Sequence, residues 1–161
     1  MGQFSHLPFR RGVGIMLFNT EGKVFAAKRL DMISDAWQMP QGGIDDDEPP
    51  RAAALRELQE ETGIPAESVS FLAEYPGWLD YDLPDDLQPL IWKGKFRGQT
   101  QKWFALRLNG GDALININAY ETPEFSEWKW VDIHALPDLI VPFKRALYAK
   151  LVAEFVDCAN G

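Results

Sequence analysis

Apolar and polar positions along the chain fall into a few periodic stretches separated by turn chemistry. Gly12 to Asn19 is short, apolar and partly β-branched, which predicts a buried strand. Asn19-Thr20-Glu21-Gly22 has turn composition, so Lys23 to Arg29 reads as the returning strand of a hairpin. Val69 to Tyr75 and Gln101 to Leu108 predict two more strands. Glu127 to Val131 alternates charged and apolar residues, the pattern of a strand with one buried face, and Leu114 to Asn118 alternates over a shorter span. Asp31 to Ala36 is polar and irregular. Trp78 to Pro84 mixes aspartates, aromatics and proline without a period, and is expected to be a mobile, exposed loop. From Pro142 onward, Phe143, Leu147, Leu151 and Phe155 recur every four residues and predict a closing amphipathic helix.

The strongest helix signal lies between these strands. Pro49-Pro50 is suited to a first turn, because proline presets φ and its missing N–H is no loss there. Ala52 to Glu61 is rich in good helix formers, and Gly63 stands where a left-handed residue ends a helix. Strands on both sides of this helix and a second helix at the end predict one α+β domain over residues 1–161, with a sheet covered by helices.

Composition limits the function classes. The 161 residues suffice for one sizeable core. No apolar run approaches the roughly 20 residues needed to span a bilayer, and the N-terminus has no secretory pattern. The single Cys158 rules out an intrachain disulfide and fits a reducing cytoplasm. The net charge of −8 is concentrated: Asp31 to Glu61 holds nine acidic residues and two arginines, a local −7. An extended nucleic-acid groove needs a basic surface, so none is expected. Gripping one phosphorylated end stays compatible, because metal ions in an acidic site reverse its local sign.

On the central helix Glu57, Glu60 and Glu61 fall at i, i+3 and i+4, on one face. Like charges at that spacing cost roughly 0.2–0.5 kcal/mol per pair. A hard divalent cation such as Mg²⁺, which takes oxygen ligands and bridges substrate phosphates, would offset the repulsion. The plainer reading is a solvated helix with Arg56 paired to Glu60. The run Asp45-Asp46-Asp47-Glu48 lacks the alternating ligands and central glycine of a calcium loop.

Gly42, Glu48 and Arg56-Glu57-Leu58-x-Glu60-Glu61-x-Gly63-Ile64, at their spacings, resemble the Nudix box at every defining position. That resemblance implies a mixed sheet in an α/β/α sandwich and a Mg²⁺-dependent hydrolysis of phosphoanhydrides, with Mn²⁺ or another divalent cation able to stand in. It makes Glu57, Glu60 and Glu61 metal ligands, with Glu57 or Glu60 as general base, and gives Gly42, Glu48, Arg56 and Gly63 structural roles. Glu48 and Arg56 would hold the glycine loop against the helix. One departure is Asp47, where such boxes often carry glycine.

Beyond the box, Trp37-Gln38-Met39-Pro40-Gln41-Gly42-Gly43, Gln99-x-Gln101-Lys102-Trp103-Phe104, Pro123-Glu124-Phe125 with Trp128 and Trp130, and Phe143-Lys144-Arg145 resemble bacterial RNA pyrophosphohydrolases and the related dinucleoside-tetraphosphate hydrolases. The similarity runs from about Phe9 to Phe155. It implies Glu124 as a further metal ligand, Arg10, Arg29, Gln99 and Lys144 as contacts to phosphates or the first nucleotides, and Tyr81 and Phe143 as base-stacking rings. Phe143 also lies on the helix stripe and fits a core position. The implied partner is a 5′-phosphorylated RNA end, with diadenosine tetraphosphate as the alternative substrate. A non-catalytic Nudix-like module would be expected to lose box glutamates, and this chain keeps them all.

Overall fold

The computed structural model describes residues 4, 6–30, 35–120 and 122–160. Its strands are β1 (Phe9–Phe18), β2 (Val24–Arg29), β3 (Gln41–Gly43), β4 (Val69–Glu74), β5 (Leu79–Asp82), β6 (Gly98–Leu108) and β7 (Phe125–Val131). The helices are α1 (Pro50–Thr62), α2 (Leu136–Leu139) and α3 (Arg145–Phe155). Short 3₁₀ turns join several of them. The strands form one mixed sheet in the order β4-β6-β1-β2-β7, with β3 added to β1 and β5 added to β6. β1 and β6 are parallel from Phe9 opposite Gly98 to Phe18 opposite Arg107. Every other pairing is antiparallel.

β1 is flanked on both edges and covered on both faces, which explains its nearly unbroken apolar sequence. Strand alternation sorts its side chains between two cores. Val13, Ile15 and Leu17 pack with Leu58 and Phe104 on one face, and Met16 and Phe18 join Trp103, Tyr148, Leu151 and Phe155 on the other. The result is the helix–sheet–helix layering implied by the sequence. α1 starts at Pro50 and ends at Gly63, whose φ of 76° is left-handed and whose N–H donates to the Gln59 carbonyl. Asp47 takes the left-handed conformation a glycine would favour, with φ of 63°, so the loop keeps its turn despite the departure. None of the described helices is long and apolar enough to cross a membrane.

Three sequence expectations fail. Leu79 to Asp82, expected in a mobile exposed loop, is a strand on the edge of β6, with Leu79 and Tyr81 buried and Asp80 and Asp82 exposed. β6 begins earlier than expected, at Gly98, and a Cβ there would collide with the Tyr81 carbonyl. Glycine is what lets the two backbones meet. Leu114 to Asn118 is not a strand. It starts on the last residue of a 3₁₀ turn, and the Asn116 N–H donates to the Thr62 carbonyl, so the segment caps α1 rather than joining the sheet. Of Asp31 to Ala36, expected to be irregular, residues 31–34 lie outside the described ones.

Candidate functional site

Arg56 is the hub of the glycine loop. Its Nε and NH2 donate to the two Glu48 oxygens at 2.9 Å each, and NH2 also donates to the Gly43 carbonyl at 2.9 Å. The Glu48 carboxylate accepts the Asp45 N–H as well, at 3.0 Å. Such a bidentate pair fixes orientation as well as distance, and Arg56 holds Glu48 below the usual carboxylate range. NH1 turns the other way, to Glu57 at 3.0 Å and Glu60 at 3.3 Å.

The three glutamates of α1 share a face but not an environment. Glu60 is 44% exposed at its side chain and Glu57 15%, while Glu61 is 3% exposed. Burial pushes Glu57 up to about 7 against the pull of Arg56, with Glu60 adding to the rise. Burial, then the charges of Glu57 and Glu124, push Glu61 far above the usual range. One Glu61 oxygen, Oε2, is buried with no hydrogen-bond partner. Glycine makes room for this cluster. A Cβ on Gly42 would overlap the Glu57 carboxylate, and one on Gly43 the Arg10 guanidinium.

Among the described residues, no three His, Cys, Asp or Glu side chains stand close enough to form a ready-made cation cage. The donor set nevertheless fits a hard divalent cation. An orphaned carboxylate oxygen in the field of two further glutamates is an uncompensated acceptor, and a cation is the partner that would satisfy it. Glu124 is exposed and lies at the turn into β7.

A pocket of about 480 Å³ opens between the end of β2, β3, β5 and the turn before α3. Arg29, Gln41, Tyr81 and Lys144 are among its polar lining residues, and Leu83, Leu90, Trp92 and Phe143 among the apolar ones. Lys144 is 8% exposed, with its ammonium 4.9 Å from the Tyr81 ring centroid. Burial, with the repulsion of Arg29, lowers it to about 8. Phe143 precedes α3 and is half-buried, with its ring 5.9 Å from that of Tyr81. Arg10 lies over the Trp92 ring at 5.0 Å and donates to the Gln99 amide. Gln99 is 1% exposed, with both ends of its amide engaged inside the protein.

The structure thus puts Glu57 and Glu124 within electrostatic reach of Glu61, with Glu60 beside Glu57, and Arg29, Tyr81, Phe143 and Lys144 around the pocket. Trp92 and the turns from Leu87 to Gly94 form a wall that sequence reasoning missed. Their apolar cluster, Leu87 to Trp92, was the available signal.

The family model for the NUDIX domain matches residues 8–151. The chain belongs to the Nudix family. Nudix hydrolases generally act with divalent cations, in keeping with the uncompensated acceptors of α1. The chain is 54% identical over 155 residues to a protein of Novosphingobium aromaticivorans named RNA pyrophosphohydrolase, covering 96% of each. A protein of the same name from Cereibacter sphaeroides is 54% identical over 149 residues, covering 92% of this chain and 91% of that one. Among solved structures, a C. elegans Ap4A hydrolase superposes with a TM-score of 0.67 at 19% identity, over 92% of this chain and 98% of that one, a likeness of fold.

Proposed function

We propose that the chain is a single catalytic Nudix domain acting as an RNA 5′-pyrophosphohydrolase. It would convert a 5′-triphosphate end to a 5′-monophosphate by releasing pyrophosphate, or a 5′-diphosphate end by releasing phosphate. The observation that carries this reading is the 54% identity with an RNA pyrophosphohydrolase over 155 residues, a span that includes both the glutamate helix and the pocket. An RNA substrate is consistent with work in the cytoplasm.

Glu57, Glu60, Glu61 and Glu124 would hold the divalent cations, Mg²⁺ or Mn²⁺ in its place, which when bound neutralise the phosphates and activate the attacking water. Water adds to phosphorus, the anhydride P–O bond breaks, and the bridging oxygen leaves with the departing phosphate group. The proton of the water goes to Glu57 or Glu60. Arg56 keeps Glu57 and Glu60 on the loop side of α1 through its hydrogen bonds. Arg10, Arg29 and Lys144 supply cationic donors for phosphate oxygens, with Gln99 holding Arg10. The half-buried Phe143 offers a ring face to an unpaired base. Tyr81 already has an ammonium over its ring, which favours its hydroxyl over its ring face as the contact.

With Mg²⁺ and 5′-triphosphorylated RNA, the protein is expected to release pyrophosphate and leave a monophosphorylated end. Glu60→Gln should abolish the release while the melting temperature stays near that of the parent protein. Undiminished turnover by that variant would remove Glu60 from the reaction.

A further inference from the structure

The turn between β5 and β6 holds Trp92 in a backbone conformation that a bulky residue rarely takes. Trp92 and Lys93 have φ of 50° and 58°, and are two of the three non-glycine residues with positive φ among the described ones. Such a backbone costs about 1–3 kcal/mol per residue and persists only where its surroundings fix it. Gln88, 1% exposed, does the fixing. Its Nε2 donates to the Gly94 carbonyl at 2.9 Å and to the Phe96 carbonyl at 3.0 Å, which closes the turn behind Lys93. The Lys95 N–H donates back to the Trp92 carbonyl at 3.2 Å, and the rings of Trp92 and Phe96 meet at 84° with centroids 6.1 Å apart.

What this strained turn presents is an aromatic face for a cation. The Arg10 guanidinium carbon lies 5.0 Å from the centre of the Trp92 ring. That contact consumes none of the five N–H donors of the guanidinium. NH1 donates to Gln99 Oε1 at 3.2 Å. Among the described residues this is the one hydrogen bond of Arg10, and no carboxylate pairs with it. NH2 lies where a Gly43 Cβ would stand, so the guanidinium seats against the glycine loop, whose Gly43 carbonyl Arg56 holds. Arg10 therefore joins the two parts of the site. Trp92 lines the pocket and Gly43 belongs to the glutamate loop. A phosphate chain reaching from one to the other meets a half-buried cation with donors to spare.

We propose that Trp92 is a positioning residue of the phosphate site. Its ring, locked in place through Gln88, holds Arg10 so that the spare N–H groups meet the phosphate chain of the bound RNA end. This rests on the RNA-end reading of the site.

The test is a pair of double-mutant cycles on binding, by titration calorimetry with Mg²⁺. The probe is inorganic triphosphate with methylene groups in place of both bridging oxygens, which cannot turn over. Arg10→Met should weaken binding about 10- to 100-fold, having lost a charged donor. Trp92→Leu should weaken it about three- to tenfold, the scale of one cation–π contact, and Trp92→Phe, which keeps a ring, should recover most of that. Added to Arg10→Met, Trp92→Leu should cost nothing further. Added to Lys144→Met, which removes a cation placed over Tyr81 instead, its loss should multiply. Trp92→Gly, which accepts the positive φ, carries the same comparisons if Trp92→Leu does not fold. Parent-like binding without the indole, a full Trp92 loss in the absence of Arg10, or a loss that vanishes equally with Lys144→Met would overturn the proposal. Pyrophosphate release from 5′-triphosphorylated RNA by the parent protein is assayed separately. Binding coupled to Arg10 without release overturns the RNA-end reading alone. Release with uncoupled losses overturns the positioning role alone, and so does release by a parent protein that does not bind the probe. Neither binding nor release overturns both.

Discussion

Lys144→Met replaces a buried ammonium by an apolar side chain of similar length, and its consequences can be worked through. Lys144 is 8% exposed, and its titration is lowered from 10.5 to about 8 by burial and then by the like charge of Arg29. That lowering, at about 1.4 kcal/mol for each tenfold change in proton affinity, is a cost of about 3–4 kcal/mol for keeping the charge in the fold at neutral pH. The sign follows from proton counts. Below about pH 8 both native and unfolded chains hold the proton, and the full cost is present. Between about 8 and 10.5 the unfolded chain keeps a proton that the native chain has released, so stability rises with pH and the cost is relieved. Methionine removes the cost and nearly conserves volume. Calorimetry at pH 7 should therefore find Lys144→Met more stable by up to about 3 kcal/mol, roughly 6–12 °C in melting temperature for a domain of this size. The gain should shrink as pH approaches 10. The same variant should bind triphosphorylated RNA about 10- to 100-fold more weakly, having lost a charged donor. A variant no more stable than the parent at pH 7, or a gain that persists undiminished at pH 10, would refute this account of Lys144.

Further outcomes are expected. Gly42→Ala puts a methyl group into the space of the Glu57 carboxylate, and should cut the rate of pyrophosphate release by about 10²-fold or more. Gly111→Ala, which meets nothing, should leave that rate unchanged. Tyr148→Phe leaves the buried Met39 N–H without its 2.9 Å acceptor, and should lower stability by about 1–3 kcal/mol in denaturant titration. Mg²⁺ at about 100 times its dissociation constant should stabilise the protein by about 2.7 kcal/mol, and Glu61→Gln should remove most of that shift in thermal melts.

The box was legible because its signals are local. Proline start, left-handed Gly63 stop and glutamate spacing all lie within one helix and its caps, where periodicity and capping chemistry speak directly. β5 was hidden because its alternation covers only four residues beside Pro84, and its edge depends on the missing side chain of Gly98. The wall around Trp92 was hidden because 3₁₀ turns carry no long period. Placing Gln101 beside Gln41, sixty residues away, requires β6 and β3 both to flank β1. The unequal burial of Glu57, Glu60 and Glu61 likewise comes from packing, since helical spacing alone treats them alike.

The central claim is the substrate, and a side-by-side kcat/KM comparison with Mg²⁺ on 5′-triphosphorylated RNA, 5′-diphosphorylated RNA and diadenosine tetraphosphate tests it most directly. Higher efficiency on the RNA ends is the expected result. Rapid cleavage of diadenosine tetraphosphate with triphosphorylated RNA left untouched would contradict it.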